Sequence, residues 1–245
     1  SGVDREPIGA ALTRYLERAR DFGALGPGDV GEHVRHATAW AAVLGNRAAG
    51  GGGTGLGAVL DEGGSPGKPH AAGASVHVGG GFAGKFLDLG TGAGIPGLVL
   101  ALRWPDSSAL LLDSRARRVR MLAEAIVELG LEDRVEAAAR RAEMEAREPS
   151  RRGAFDLVVA RGFGRPASTA ECAVGFLSPS GRLSVSEPPG DDPDRWPPDL
   201  LRELGFGPAS RVVHEGASFV ILQREGDVSD RWPRRDGLPH KRPLW

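Results

Sequence analysis

The stretch Phe86 to Gly97, Phe-Leu-Asp-Leu-Gly-Thr-Gly-Ala-Gly-Ile-Pro-Gly, constrains the fold more than any other part of the chain. An apolar run enters a glycine-rich turn, and a proline then opens a helical pattern. A second apolar run, Ala109 to Leu112, ends in an acid, Asp113. Strand, glycine turn, helix and acid-ended strand together build a crevice that holds a nucleoside. Glycine is needed in such a turn because the backbone must approach the ligand and adopt positive φ. The Asp113 carboxylate offers enough lone pairs to accept from both ribose hydroxyls.

Two nucleoside cofactors fit this outline. Gly92, Gly94 and Gly97 match the dinucleotide fingerprint, but with 37 glycines in the chain that match is weak. Asp88, two residues before Gly90, separates the readings. In the Asp-x-Gly-x-Gly-x-Gly pattern of class I methyltransferases this acid faces the cationic amino group of S-adenosylmethionine. A pyrophosphate would be repelled there. Pro96 suits a first helical turn, where its missing N–H costs nothing. The motif therefore selects S-adenosylmethionine over NAD. The cofactor-binding candidates are Asp88, Gly90, Thr91, Gly92, Gly94, Asp113 and Ser114. Asp113 or Ser114 is also placed to cap the helix that follows.

Hydrophobic periodicity predicts the surrounding architecture. Glu6 to Arg20 reads as an amphipathic helix with Ile8, Leu12, Tyr15, Leu16 and Ala19 on one stripe. Val30 to Leu44 reads as a second helix. From Gly45 to Gly84 the chain holds 15 glycines, which predicts a mostly flexible insertion, with a substrate lid as the alternative. From Lys85 onward strands and helices alternate, the signature of a parallel sheet covered on both faces. Strands are expected over Phe86–Leu89, Ala109–Asp113, Arg134–Ala138, Phe155–Ala160, Gly181–Ser186, Ser210–His214 and Ala217–Gln223. Helices are expected over Pro96–Arg103, Arg115–Leu129, Ala142–Arg147, Pro166–Phe176 and Asp199–Leu204. Only Glu215-Gly216 separates the last two strands, which is hairpin length. A parallel sheet that ends in an antiparallel strand is the Rossmann-like class I methyltransferase architecture. The expected organisation is a helical N-terminal cap (1–45), the glycine-rich insertion (46–84), an α/β methyltransferase core (85–225) and a basic, proline-rich tail (226–245).

Composition narrows the partners. A net charge of −1 gives no global field for nucleic acid, so any such contact must come from local basic clusters. The lone Cys172 excludes an intrachain disulfide and reads as a buried structural thiol. Six scattered histidines without ligand spacing predict no metal site. No run of eighteen apolar residues occurs and no signal-peptide pattern opens the chain, which predicts a cytoplasmic protein without a membrane partner.

Residues Phe86–Gly97, followed by Leu111-Leu112-Asp113-Ser114-Arg115-Ala116-Arg117-Arg118-Val119-Arg120-Met121-Leu122, resemble the glucose-inhibited division protein B family. Arg141-Ala142-Glu143 is similar to the family's Arg-Ala-Glu segment near the adenine, and Phe155 to Arg161 to its fourth strand. Arg35-His36 resembles an Arg-His pair of its N-terminal helices. The tail Arg231 to Leu244 is similar to its aromatic-Pro-Arg-Lys/Arg-x-Gly-x-Pro-x-Lys-x-Pro-Leu ending. The resemblance implies S-adenosylmethionine-dependent methylation of guanine N7 in small-subunit ribosomal RNA, with that RNA or the small ribosomal subunit as partner. It adds Ala142 and Glu143 to the cofactor candidates and makes Arg161 the candidate catalytic residue. The chain departs from the family in four places, the first being that the N-terminal Trp-Asn-Lys and Asn-Leu-Thr elements are not recognisable around Arg18–Leu25. Ser-Arg-Ala becomes Ala160-Arg161-Gly162, Ala39-Trp40 stands for an Asp-Ser, and Glu187 stands where a Lys-Gly follows the fifth strand. A carboxylate at position 187 would meet anionic RNA unfavourably. Two alternatives follow: a divergent methyltransferase with a small-molecule or other substrate, and a non-catalytic nucleotide-binding or ribosome-associated module.

Guanine N7 already presents a lone pair, so its methylation needs positioning more than acid–base help. No general base is evident in the sequence, which is compatible with that reaction. Arg161 would donate to the O6/N7 edge, with a salt bridge to Asp88 or Glu187 as its alternative role. The tail holds five Lys/Arg against one acid from Arg231 to Trp245. It reads either as a phosphate-contacting arm or as a segment packed by Trp232 and Trp245.

Overall fold

The strands of this chain are apolar on both sides, which requires cover on both faces of the sheet. The computed structural model describes residues 8–45, 81–190 and 192–245. Most of the stretch read as a glycine-rich insertion, 46–80, lies outside the described residues. Within residues 81–84, Phe82 is buried against Phe86 and Trp104, so the packed core begins before the expected boundary at 85.

The elements are α1 (Ile8–Asp21), α2 (Val30–Gly45), β1 (Lys85–Leu89), α3 (Gly97–Arg103), β2 (Ser108–Asp113), α4 (Ala116–Glu128), β3 (Val135–Ala139), α5 (Ala142–Glu145), β4 (Phe155–Ala160), α6 (Pro166–Val174), β5 (Leu177–Glu187), α7 (Pro198–Leu204), β6 (Ser210–His214), β7 (Ala217–Gln223) and α8 (Leu238–Lys241). The sheet order is β3-β2-β1-β4-β5-β7-β6. Strands β1 to β5 pair in parallel, and β7 runs antiparallel to both β5 and β6.

Period-two alternation divides the core. Phe86, Leu111, Leu157, Val159, Phe219 and Ile221 face one side, where α1 to α4 pack. Leu87, Leu110, Leu112, Val158, Val220 and Leu222 face the other, with α5, α6, α7 and the tail. The N-terminal cap is anchored on the first face by α2. Trp40 is fully buried, its indole N–H donates to Ser184 Oγ at 2.7 Å, and its ring lies 5.0 Å from Phe219. Helix α1 reaches α4 through Arg18 and Glu128, 2.6 Å apart.

Most element ends fall within two residues of expectation. Three differences have local causes. Helix α3 starts at Gly97, with Pro96 as its cap position rather than its first turn. Strand β5 begins at Leu177, because Leu177 pairs with Phe155 before the register shifts at Leu157↔Arg182. The intervening Ser-Pro-Ser-Gly reads as a turn and hides the shared strand. Helix α8 is four residues long, too short for any periodicity to announce it.

The tail is packed, not free. Trp232 is buried, and its carbonyl accepts from Arg152 Nη1 at 2.9 Å. Arg234 makes a two-pronged pair with the wholly buried Glu171, at 2.8 and 2.7 Å. The Trp245 indole donates to the Arg195 carbonyl at 2.9 Å. Removing one partner of such a pair leaves a buried charge uncompensated. Arg234→Ala should therefore lower the unfolding free energy by roughly 3 kcal/mol in urea titrations. It should also expose residues 226–245 to limited proteolysis.

Candidate active site

The C-terminal ends of parallel strands are where connecting loops leave space for a ligand. Here a cleft of about 310 Å³ opens at that edge. Leu89 and Gly90 end β1, and Leu112, Asp113 and Ser114 end β2. Ala142 and Glu143 open α5, Gly162 and Phe163 follow β4, and His240 comes from α8. Arg115, Arg118, Arg140 and Arg141 complete the rim. Five of the sequence candidates therefore share one hollow: Gly90, Asp113, Ser114, Ala142 and Glu143.

The turn between β1 and α3 needs its glycines for different reasons. Gly90 has φ +73°, and a Cβ there would lie 2.6 Å from the Phe163 ring. Gly94 has φ +88°, and a Cβ would meet Leu98 and Leu122 at 2.7 Å, inside the core and away from the cleft. Gly92, at φ +58°, donates its N–H to Asp113 Oδ2 at 3.1 Å. Asp113 Oδ1 accepts from the Arg115 N–H at 2.8 Å, and Arg118 stands 3.6 Å from Oδ2. The N-cap position of α4 is Arg115, without a side-chain cap, so neither Asp113 nor Ser114 caps the helix; Asp113 holds the Arg115 N–H just before it, and its carboxylate still borders the cleft.

Asp88 takes a different place from the one its motif suggests. It is buried beneath the turn and does not line the cleft. Its Oδ2 accepts from the Thr91 hydroxyl at 2.7 Å and from the Gly97 N–H at 2.8 Å. Burial raises its pKa from 3.8 to about 6, against the opposing pull of those hydrogen bonds and of Arg161. Asp88 and Thr91 thus tie the strand end to the helix start.

Arg161, at the end of β4, is partly buried and faces α2 rather than lining the cleft. Its Nη2 contacts His33 Nδ1, and burial lowers its pKa, an effect Asp88 opposes. Glu187 does not present a free carboxylate. It is buried and grips Arg195 with both oxygens, at 2.6 and 3.2 Å. The charge inversion that the sequence suggested at this spot is neutralised within the protein.

Phe163 and His240 were not among the sequence candidates, although the tail that carries His240 was recognisable. Their rings meet edge-on, with centroids 5.0 Å apart. Glu143 connects tail and cleft, because its Oε1 accepts from the Gly237 N–H at 2.8 Å. Cys172 is buried, and burial next to Glu143 pushes its thiol well up. Glu143, Cys172 and His240 hold ligand-type atoms within 4.8 Å of one another. Their distance along the chain concealed this grouping from the sequence reading. One Glu143 oxygen in it is already used by the tail. Among the described residues no helix is long and apolar enough to cross a membrane.

The strand order, the reversed β7 and the cleft beyond β1 and β2 define a class I methyltransferase fold. The cofactor-bound Rv0187 protein from MTB has the same fold, with a TM-score of 0.51 at 15% identity over 92% of this chain and 93% of that one. The family model described as rRNA small subunit methyltransferase G, GidB, matches residues 74–186. The ribosomal RNA small subunit methyltransferase G of Moorella thermoacetica is 35% identical over 170 residues, 66% of this chain and 70% of that protein. Its counterpart in Deinococcus deserti is 33% identical over 175 residues, 66% of this chain and 68% of the other. The chain belongs to the rRNA small subunit methyltransferase G family, the one its motifs and tail resemble.

The raised pKa of Asp88 has a thermodynamic consequence. Between pH 4 and 6 the folded protein holds a proton there that the unfolded chain has released, so this group makes stability fall as pH rises. Asp88→Asn keeps an acceptor oxygen and removes the titration. Wild type should lose a few kcal/mol relative to the variant across that window in urea unfolding. His36 titrates with the opposite sign, its pKa lowered to about 4 by burial, but it is present in both proteins and cancels. Parallel stability curves would mean that the Asp88 carboxyl is not perturbed.

Proposed function

We propose that this protein transfers the methyl group of S-adenosylmethionine to N7 of a guanine in small-subunit ribosomal RNA. The observation that carries the reading is Asp113 at the β2 end, bordering a cleft that the adjacent glycine turn at Gly90 also lines. The donor set suits an adenosine. The carboxylate offers acceptors for ribose hydroxyls, and Gly90 and Gly162 leave the backbone without side chains against the hollow. Ala142 and Glu143 offer backbone amides beside the adenine end. The Phe163 and His240 rings, set edge to face, supply a partly apolar wall.

When bound, S-adenosylmethionine supplies an electrophilic methyl group on a sulfonium. The chain's own work is then alignment. The turn and Asp113 fix the nucleoside, the packed tail closes one wall, and the end of β4 receives the base. Attack by the N7 lone pair forms one N–C bond as the S–C bond breaks. The positive charge passes from sulfur to the purine, and N7 has no proton to remove. The catalytic demand is orientation together with a donor toward O6. Arg161 is the donor nearest the end of β4. The Arg195 pair with Glu187 supports the RNA reading, because it removes the anionic surface that argued against it. Of the rim arginines, Arg118 pairs with Asp113, Arg140 with Glu145 and Glu148, and Arg141 with Glu143 and Asp236, so the positive charge at the rim rests chiefly on Arg115.

Two experiments test this reading. Calorimetry with S-adenosylhomocysteine should give binding by wild type. Asp113→Ala should weaken it at least about tenfold, the order of one or two charge-assisted hydrogen bonds. Equal affinities would remove Asp113 from the ribose site. Radiolabelled methyl transfer should appear with small ribosomal subunits or their RNA, at a guanine whose N7 methylation makes the strand cleavable by borohydride and aniline. Label recovered only in small molecules would overturn the RNA assignment.

A further inference from the structure

Arg161 sits in a polar pocket between α2 and the ends of β1, β4 and β5. His33 is buried on α2, and its Nε2 lies 3.2 Å from the Gly26 carbonyl. A carbonyl only accepts, so Nε2 carries the hydrogen of the neutral ring. Nδ1 is then left with a lone pair. Arginine only donates, and Arg161 Nη2 contacts that same Nδ1. Both partners therefore demand one tautomer. The sequence Gly26 C=O, His33, Arg161 forms a chain of hydrogen bonds from the loop after α1 to the end of β4. The neighbouring His36 is held by Ser186 Oγ at 3.0 Å, with its Nδ1 buried and unpartnered. Arg161 Nη1 is likewise buried without a partner. The fold desolvates this donor and leaves it unsatisfied, while Arg161 as a whole is half-buried.

We propose that neutral His33 is a positioning residue, which holds Arg161 Nη2 through Nδ1 and so sets the direction of the guanidinium that meets the methyl-accepting base. This deepens the function proposed above and rests on it for the identity of that base. The helical cap thereby has a part in catalysis: it carries the acceptor that orients the side chain at the end of β4. Protonation of His33 would destroy the acceptor and set a cation against a guanidinium. The titratable and charged groups around the pair are Glu32 and His36 on α2, Arg161 on the β4 end and Asp88 on β1. Burial first, and Arg161 second, lower the His33 pKa from 6.5, so the ring is neutral at pH 7. As pH falls below that range the orienting bond is lost.

The test compares His33→Asn with His33→Leu. The asparagine side-chain oxygen takes the place of Nδ1, whereas leucine offers no acceptor. Both variants should bind S-adenosylhomocysteine as wild type does, since His33 does not line the cofactor cleft. In single-turnover methyl transfer to small ribosomal subunits, His33→Leu should lose at least about tenfold in rate, the equivalent of one hydrogen bond to a charged group. His33→Asn should recover most of it and flatten the acid limb of the wild-type pH–rate profile. Equal rates in wild type and leucine variant, equal losses in both variants, or an acid limb unchanged by asparagine would overturn the proposal. The nitrogen-15 shifts of the His33 ring give a readout that needs no substrate. Nε2–H with an unprotonated Nδ1 at pH 7 supports the proposal, and a hydrogen on Nδ1 overturns it. If wild type binds S-adenosylhomocysteine and methylates no subunit while the ring shows the expected tautomer, the substrate assignment fails and the positioning of Arg161 stands.

Discussion

The Asp88 carboxylate holds three pieces of chain together at the point where the fold becomes a site. One oxygen receives the Thr91 hydroxyl and the Gly97 amide, so the end of β1, the glycine turn and the first residue of α3 share a single acceptor. The contact is too close for any larger residue at position 97, where a Cβ would fall 2.4 Å from Leu111 and 2.7 Å from Asp88. Burying the charge is unfavourable, as its raised pKa records. An apolar residue at 88 would avoid that cost and leave two buried donors unsatisfied. The turn that presents Gly90 to the cleft is thus held from below, while Asp113 holds it from the side through Gly92.

Two segments remote in sequence pack against opposite faces of the sheet, and the tail alone of the two lines the cleft. On one face α2 is locked by Trp40 against Ser184 and Phe219, which brings His33 to Arg161 beyond β4 and His36 to Ser186 on β5. On the other, the tail is clamped by Glu171 and Arg234 and delivers Gly237 to Glu143 and His240 to the cleft wall. Both clamps use a buried polar group with a specific partner. Apolar packing alone is non-directional, and these partners fix where each segment lies. Two of the tail's basic residues are therefore engaged within the protein: Arg234 pairs with Glu171, and Arg231 pairs with Glu203 and stacks over Trp232.

The elements that carry the cofactor motif were legible in the sequence because their signals are local. β1, its turn, β2 and the acid at its end lie within 28 residues of chain, from Asp113 back to Phe86, and alternation with turn residues marks each boundary. The hairpin of β6 and β7 was equally plain, since Glu215-Gly216 leaves no room for anything else. β5 was read short because its first residues pair across a register shift that looks like a turn. Spacing gave Asp88 its position at the strand end but not the Thr91 and Gly97 partners it finds there. Glu187 was read as exposed charge because nothing local ties it to Arg195, eight residues away beyond the strand end.

The sequence by itself determined the sheet, the place of the nucleoside crevice and the acid at its rim, since short-range periodicity and glycine stereochemistry act over a few residues. Only the tertiary structure decided which charges are free to act. It buried Asp88, paired Glu187, closed the cleft with His240 and set His33 against Arg161. Each of these depends on side chains brought together from distant parts of the chain, where burial and partner geometry, rather than residue type, fix the charge and direction of a group.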